Sequence, residues 1–263
     1  MSHVIRHFYH LVDDSPWPLL IAMIGVILTS RLLRVFYLKN VTLLYIRLTL
    51  IRLVTYQWWR DVGREGSYLG LHSIGVELGL RRGIVLFIVS EVFFFLRFFW
   101  AFFHSRLSVD PVLGGCWPPV GIKTFDAFGI PLLNTLILLS SGVRVTWAHH
   151  CLMRGEHSKS VKSLCLTVLL GLYFTGLQGM EYLEASFSFA DGRYGSTFFL
   201  ATGFHGFHVV VGTTFLFICL YRLHLKLLRH RHHLGFEIAA WYWHFVDVVW
   251  LFLYIFVYWW RGA

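Results

Sequence analysis

Long apolar segments joined by short polar ones recur along the whole chain. They predict seven membrane-spanning helices, at about residues 16–37, 41–56, 83–104, 128–150, 161–183, 197–222 and 237–260. The segments are apolar at both odd and even positions, whereas a membrane β-strand would alternate between apolar and polar residues. The pattern therefore predicts an all-α fold: a polytopic membrane helix bundle that forms a single transmembrane domain over residues 1–263.

The composition supports a membrane protein. Hydrophobic residues make up 57% of the chain and charged residues only 14%, whereas soluble proteins carry roughly 25% charged residues. The net charge of +9 lies mainly in the polar joints, which argues against a nucleic-acid surface. The four cysteines form no CxxC pair and lie far apart in the sequence, so neither a disulfide framework nor a cysteine metal site is predicted.

Lysine and arginine are distributed unequally between the two sides of the predicted bundle. One set of joints contains Arg60, Arg64, Arg81, Arg82, Arg154, Lys159, Lys162, Arg222, Lys226, Arg229 and Arg231. The opposite set, with the C-terminus, contains only Lys39, Arg106, Lys123, Arg193 and Arg261. Because positive residues concentrate on the cytoplasmic or matrix side of membrane proteins, the N-terminus is predicted on that side.

The third predicted span carries an acidic residue, Glu91, near its middle. A carboxylate in hydrocarbon costs several kcal/mol unless it is protonated, paired, or faces protein or water. Glu91 is therefore a candidate functional residue. The alternative is a structural one, a protonated acid hydrogen-bonded to a neighbouring helix.

Six further ionisable side chains sit where helix geometry groups them within the predicted spans: His149 and His150, His205 and His208, and His244 and Asp247. A di-iron enzyme would need histidine boxes of the HxxxH and HxxHH type, and neither spacing occurs within the predicted spans. Haem ligation would need axial ligands that face each other across the bundle, which sequence alone does not establish. The preferred interpretation is that these side chains pair with one another and with polar groups of other helices.

The predicted joint at 57–72 combines indole rings with charged groups, namely Trp58, Trp59, Arg60, Arg64, Glu65 and His72. Indoles at the membrane interface with guanidinium groups beside them suit phospholipid headgroups. An ordinary aromatic belt is the alternative.

Several motifs resemble those of a known family, subunit III of the haem–copper cytochrome c oxidases of mitochondrial type. They are YQWWRD at 56–61, SEVFFF at 90–95, FFWAFFHS at 98–105, GGCWPPVGI at 114–122, PLLNTLILLSSGV at 131–143, TWAHH at 146–150, YGSTFFLATGFHGFHVVVGT at 194–213 and GFEIAAWYWHFVDVVWLFLY at 235–254. The resemblance extends over nearly the whole chain from about residue 16.

The resemblance implies an accessory, non-catalytic subunit of cytochrome c oxidase in the mitochondrial inner membrane, bound beside the catalytic subunit I. It implies that helices 1–2, at about 16–56, are separated by a V-shaped cleft from helices 3–7, at about 83–260. Phospholipid fills that cleft in the family. The subunit itself binds no cofactor or metal, and haem a and copper are expected in partner subunits.

The same resemblance assigns roles to individual residues. Glu91 matches the family carboxylate of the third helix, which is associated with proton uptake and with protection of the catalytic subunit during turnover. Five residues match family positions near bound lipid headgroups: Trp59, Arg64, Glu65, His72 and Arg222.

Six arginines depart from the family pattern. Glycine is usual at Arg31, Arg47, Arg97 and Arg261, and serine is common at Arg106 and Arg144. Some animal mitochondrial codes read AGA and AGG as glycine or serine, so one hypothesis is that some of these arginines are translation artefacts.

Two other classes of function remain open at the level of sequence. One is a free-standing transporter or proton channel that uses Glu91, although no paired broken helices are visible. The other is a membrane metalloenzyme, although histidine boxes are missing.

Overall fold

A computed structural model describes residues 10–38, 42–109, 114–230 and 232–260, with the side chains at 30–38 and 42–44 outside the description. Within these ranges the chain forms seven α-helices and no β-strand. They are α1 (Trp17–Leu38), α2 (Thr42–Ser67), α3 (Ile74–Leu107), α4 (Ile130–Met153), α5 (His157–Glu184), α6 (Gly192–His224) and α7 (Leu234–Leu253), and a π-helical turn (Tyr254–Trp259) continues α7. The predicted all-α fold with seven helices is confirmed.

Five of the α-helices, α2 to α6, are longer than the predicted spans. α2 continues through the predicted joint at 57–72 as far as Ser67, and α3 begins at Ile74, well before residue 83. Hydropathy marks only the part of a helix that suits hydrocarbon, whereas backbone hydrogen bonds continue into the polar interface. The prediction that 57–72 is a joint is therefore wrong for residues 57–67, which are helical.

Length and composition separate the helices into two groups. Among the described residues, five helices are long and apolar enough to cross a membrane, at Ile74–Leu107, Ile130–Met153, His157–Glu184, Gly192–His224 and Leu234–Trp259. α1 contributes a shorter apolar segment, Trp17–Thr29. α2 carries Arg47 and Arg52 within its first half, which lowers its hydropathy.

The chain forms two compact units, Met1–Leu80 and Arg81–Ala263. In the first unit α1 and α2 form an antiparallel hairpin, because Trp17 at the start of α1 contacts Asp61 near the end of α2. The Trp17 indole Nε1 donates to Asp61 Oδ2 at 2.7 Å, and the Arg60 guanidinium donates to Asp61 Oδ1 at 3.0 Å. These hydrogen bonds hold the pKa of Asp61 below its usual value, and the one from Trp17 has the larger effect.

In the second unit α4 and α5 approach closely through small hydroxyl side chains. Ser160 Oγ donates to the carbonyl of Ala148, and Ser163 Oγ donates to the carbonyl of Arg144, both at 2.8 Å. In lipid there is little hydrophobic drive between helices, so close packing and interhelical hydrogen bonds hold them together.

Two tryptophans of α7 form the centre of the second unit. Trp243 and Trp250 are both almost completely buried. The Trp243 indole donates to Ser141 Oγ of α4 at 2.8 Å, and the Trp250 indole donates to Thr135 Oγ1 at 3.0 Å. Each ring therefore buries a large apolar surface while its single polar atom is satisfied.

A glycine allows α5 to approach α6 and α7 at the level of Trp243. A Cβ at Gly171 would lie 2.6 Å from Thr213 Oγ1 of α6 and 2.8 Å from Trp243 Cη2 of α7. Both distances are shorter than any van der Waals contact, so an added methyl group would force the helices apart.

We expect Gly171→Ala to destabilise the second unit by about 1–3 kcal/mol, the usual cost of overpacking. Gly176→Ala is the matched control, because a Cβ there meets nothing within 4 Å and because both variants gain the same helix propensity. The thermal unfolding temperature of the chain in its purified complex should fall only for Gly171→Ala. Equal unfolding temperatures for the two variants would contradict this packing.

Candidate functional site

Glu91 of α3 is paired with a histidine of α6. Its Oε2 lies 2.8 Å from His208 Nε2. The side chain of Glu91 is 20% exposed and that of His208 is 9% exposed. The acidic group that is anomalous in the sequence thus has a partner from another membrane-spanning helix.

The second hydrogen bond of His208 defines how protons are placed in this pair. His208 Nδ1 lies 2.7 Å from the carbonyl oxygen of Phe204, and because a carbonyl only accepts, Nδ1 carries a hydrogen. Nε2 and the carboxylate cannot both present lone pairs at 2.8 Å, so one further proton lies between them. Glu91 and His208 are then either a neutral acid and a neutral imidazole or a carboxylate and an imidazolium, and the net charge is zero in both cases.

Aromatic rings surround the imidazole of His208. The ring of Phe95 lies 5.0 Å away in an edge contact, and the ring of Tyr242 from α7 lies 6.3 Å away and is stacked. Phe95 and Tyr242 are buried. This apolar environment strengthens the Glu91–His208 interaction and makes an unpaired charge costly.

A second polar group lies between α4 and α7. His244 Nε2 lies 3.1 Å from Thr146 Oγ1, and His244 Nδ1 lies 4.0 Å from Asp247 Oδ2. Asp247 is 7% exposed, and a Cβ at Gly142 would lie 2.6 Å from its Oδ2. Because glycine has no side chain, Gly142 leaves room for the Asp247 carboxyl group at this position.

The remaining histidines from the sequence analysis differ in their surroundings. His205 is 1% exposed, and its Nε2 lies 3.2 Å from the carbonyl oxygen of Val246 in α7. His149 lies with its ring 5.0 Å from the ring of His233 and 6.2 Å from that of His150. His150 is exposed, so the structure brings His205 into an interhelical hydrogen bond but places His150 at the surface.

The predicted headgroup residues of the first unit lie at the end of α2 and just after it. Trp58 is half-buried, whereas Trp59 and Arg64 are exposed. Glu65 Oε2 lies 3.7 Å from His10 Nε2, and the His10 ring lies 5.7 Å from the ring of His72. Glu65 and His72 thus belong to one small polar cluster with His10.

Arg222, the headgroup residue predicted in the second unit, lies in the last turn of α6 and is half-buried.

α3 and α7 are joined by an ion pair in the second unit. Arg81 donates to Glu237 Oε2 through Nε at 3.2 Å and through Nη2 at 2.9 Å.

The arginines that depart from the family pattern occupy different environments. Arg97 and Arg144 are exposed and Arg47 is half-buried. The Arg106 guanidinium lies 3.8 Å above the Trp260 ring and also donates to the Trp260 carbonyl. Arg31 and Arg261 lie outside the side chains described. Arg106 therefore has specific partners, and the artefact hypothesis stays a hypothesis for all six arginines.

Across the described ranges, no group of three or more His, Cys, Asp or Glu side chains is placed to hold a metal ion.

One acidic residue of the bundle escapes the sequence analysis. Glu181 of α5 is 1% exposed and accepts hydrogen bonds from Gln178 and Tyr258. The available signal was an acidic residue inside an apolar span with a glutamine three positions earlier, which places both side chains on one face of a helix.

The helices and the paired ionisable groups within them define a polytopic helical membrane protein. A family model described as cytochrome c oxidase subunit III matches residues 7–262. Relatives named cytochrome c oxidase subunit 3 from Cyprinus carpio and Danio rerio are each 60% identical over 260 residues, and the one from Salmo salar is 61% identical. Each match covers 99% of both chains. The chain belongs to the cytochrome c oxidase subunit III family.

The membership confirms the main prediction from sequence. The chain is an accessory subunit of the respiratory oxidase complex and a multi-pass protein of the mitochondrial inner membrane. A free-standing transporter is not favoured.

Proposed function

We propose that this chain supports the catalytic subunit I of the oxidase, which would carry haem a and copper, and that Glu91 and His208 take part in this support. The observation that carries the proposal is the 2.8 Å contact between Glu91 Oε2 and His208 Nε2 inside two membrane-spanning helices. A carboxyl group at this depth in a partly exposed position is a candidate for handling protons.

The pair can pass its shared proton from one partner to the other without a change in its net charge. The shared proton moves between Glu91 and His208 while the net charge of the pair stays zero, so the cost of a bare charge in hydrocarbon is avoided. Because the Glu91 side chain is 20% exposed, a proton carrier outside the second unit can reach it. These properties suit a group that assists proton uptake by a neighbouring subunit.

Glu91→Gln tests this role in the assembled oxidase. Glutamine keeps the size of the side chain but cannot carry a titratable proton, so we expect slower proton uptake and faster inactivation of the catalytic subunit during turnover. Glu184→Gln is the control, since Glu184 is an exposed carboxyl group at the end of α5. Wild-type proton uptake together with wild-type inactivation in Glu91→Gln would reduce Glu91 to a packing residue.

We also propose that phospholipid headgroups bind at two places, the end of α2 with Trp58, Trp59, Arg64, Glu65 and His72, and the end of α6 with Arg222. The support is the exposure of Trp59 and Arg64 beside the indole of Trp58 and the position of Arg222 in the last turn of α6. Guanidinium groups bind phosphate with paired hydrogen bonds, and indoles favour the interface.

Arg64→Gln and Arg222→Gln should each reduce the number of phospholipids that the purified complex retains, counted by native mass spectrometry. Arg193→Gln serves as the control, because Arg193 is exposed in the first turn of α6, at the opposite end of that helix. Unchanged phospholipid content in both variants would contradict the headgroup sites.

The N-terminus is proposed to lie on the matrix side. The support is the concentration of lysine and arginine in the joints of that side, as counted from the sequence. Digestion of the N-terminal segment by a protease that reaches only the intermembrane side would contradict this orientation.

A further inference from the structure

α5 buries a carboxyl group that has no part in the Glu91–His208 pair. Glu181 lies one turn before the end of α5 and is 1% exposed, and its neighbours Gln178 and Tyr258 are 4% and 1% exposed. The three side chains bring together an acid, an amide and a phenol inside the second unit.

Two hydrogen bonds of this cluster converge on one carboxyl oxygen, and a third, from Gln178 Nε2 to Tyr258 Oη at 3.4 Å, joins the two donors. Gln178 Nε2 donates to Glu181 Oε2 at 3.0 Å, and Tyr258 Oη donates to the same oxygen at 3.3 Å. Glu181 Oε1 and Gln178 Oε1 are buried and have no partner among the described residues. Glu181 Oε2 therefore accepts two hydrogen bonds, whereas Glu181 Oε1 and the amide oxygen of Gln178 have no hydrogen-bond partner.

The surroundings provide no opposite charge. Across the described ranges, no lysine, arginine or histidine side chain lies within ion-pair distance of Glu181. The neighbouring hydroxyl group of Tyr182 donates instead to Thr202 of α6 at 2.8 Å. The rings of Phe198 and Trp250 lie 5.5 and 5.8 Å from that of Tyr258. An ionised Glu181 with only two neutral donors would therefore carry a large free-energy cost in this apolar environment.

We propose that Glu181 is a neutral acid with its proton on Oε1 and that it binds an internal water molecule together with Gln178 Oε1. Oε2 accepts two hydrogen bonds and so acts as the carbonyl oxygen. The hydroxyl group on Oε1 then needs an acceptor, and Gln178 Oε1 needs a donor. A water molecule meets both needs, and buried water typically satisfies such otherwise unpaired groups.

This site differs in kind from the Glu91–His208 pair. There a histidine base shares the proton with the acid, whereas Glu181 has only neutral donors and keeps its proton. The cluster is thus a second protonated site of the subunit, close to the membrane surface where α5 ends.

Infrared difference spectroscopy of the assembled oxidase tests the protonation. The C=O stretching band of a protonated carboxyl group should be present in the wild type and lost in Glu181→Gln, an almost isosteric change. Tyr258→Phe should shift this band to higher frequency, because one hydrogen bond to the carbonyl oxygen is removed. Glu184→Gln, which changes an exposed carboxyl group on the same helix, should leave it unchanged.

The proposal would be overturned if Glu181→Gln removed a carboxylate band and left the band of the protonated carboxyl group unchanged. If Glu181→Gln does not assemble, the wild type and Tyr258→Phe decide it, since an unshifted band contradicts the assignment of Oε2. For the water, a high-resolution map should show one peak within hydrogen-bond distance of Glu181 Oε1 and Gln178 Oε1. A direct contact between these two atoms would overturn that part.

Discussion

Inside the hydrocarbon core a polar side chain finds no bulk water, so each buried ionisable group of the membrane-spanning helices depends on a partner within the protein. The Glu91–His208 contact satisfies this requirement with a single shared proton. The hydrogen bond from His208 Nδ1 to the Phe204 carbonyl fixes the orientation of the imidazole, so that Nε2 faces the carboxyl group. A backbone carbonyl of α6 thereby orients His208 so that Glu91 forms a neutral pair with it.

The same constraint shapes the packing of the second unit. Ser160 and Ser163 donate their hydroxyl groups to backbone carbonyls of α4, and the two buried tryptophans of α7 donate their indole N–H groups to side-chain hydroxyl oxygens of α4. Small residues make this possible, since Gly171 admits Thr213 and Trp243 at distances that a Cβ would forbid. Hydrogen bonds and close contact together replace the hydrophobic drive that the bundle lacks in lipid.

The sequence was sufficient for the number and order of the helices, because hydropathy reports directly on burial in hydrocarbon. It was insufficient for their ends, since α2 continues to Ser67 through residues whose polarity indicated a joint. It identified Glu91 as anomalous but could not choose His208 among fifteen histidines, because that pairing depends on which faces of α3 and α6 meet. For Glu181 a local signal existed in Gln178 three positions earlier, but its other partner, Tyr258, lies far away in sequence.

The protonation state of His208 is the most direct test of the account. Nitrogen-15 NMR of histidine-labelled chain in the assembled oxidase, with His208→Gln to assign the signals, reports which ring nitrogens carry hydrogen. The account predicts a proton on Nδ1 and a change in the Nε2 signal when Glu91 is replaced by glutamine. A bare Nδ1, or an Nε2 signal that does not respond to Glu91→Gln, would contradict it.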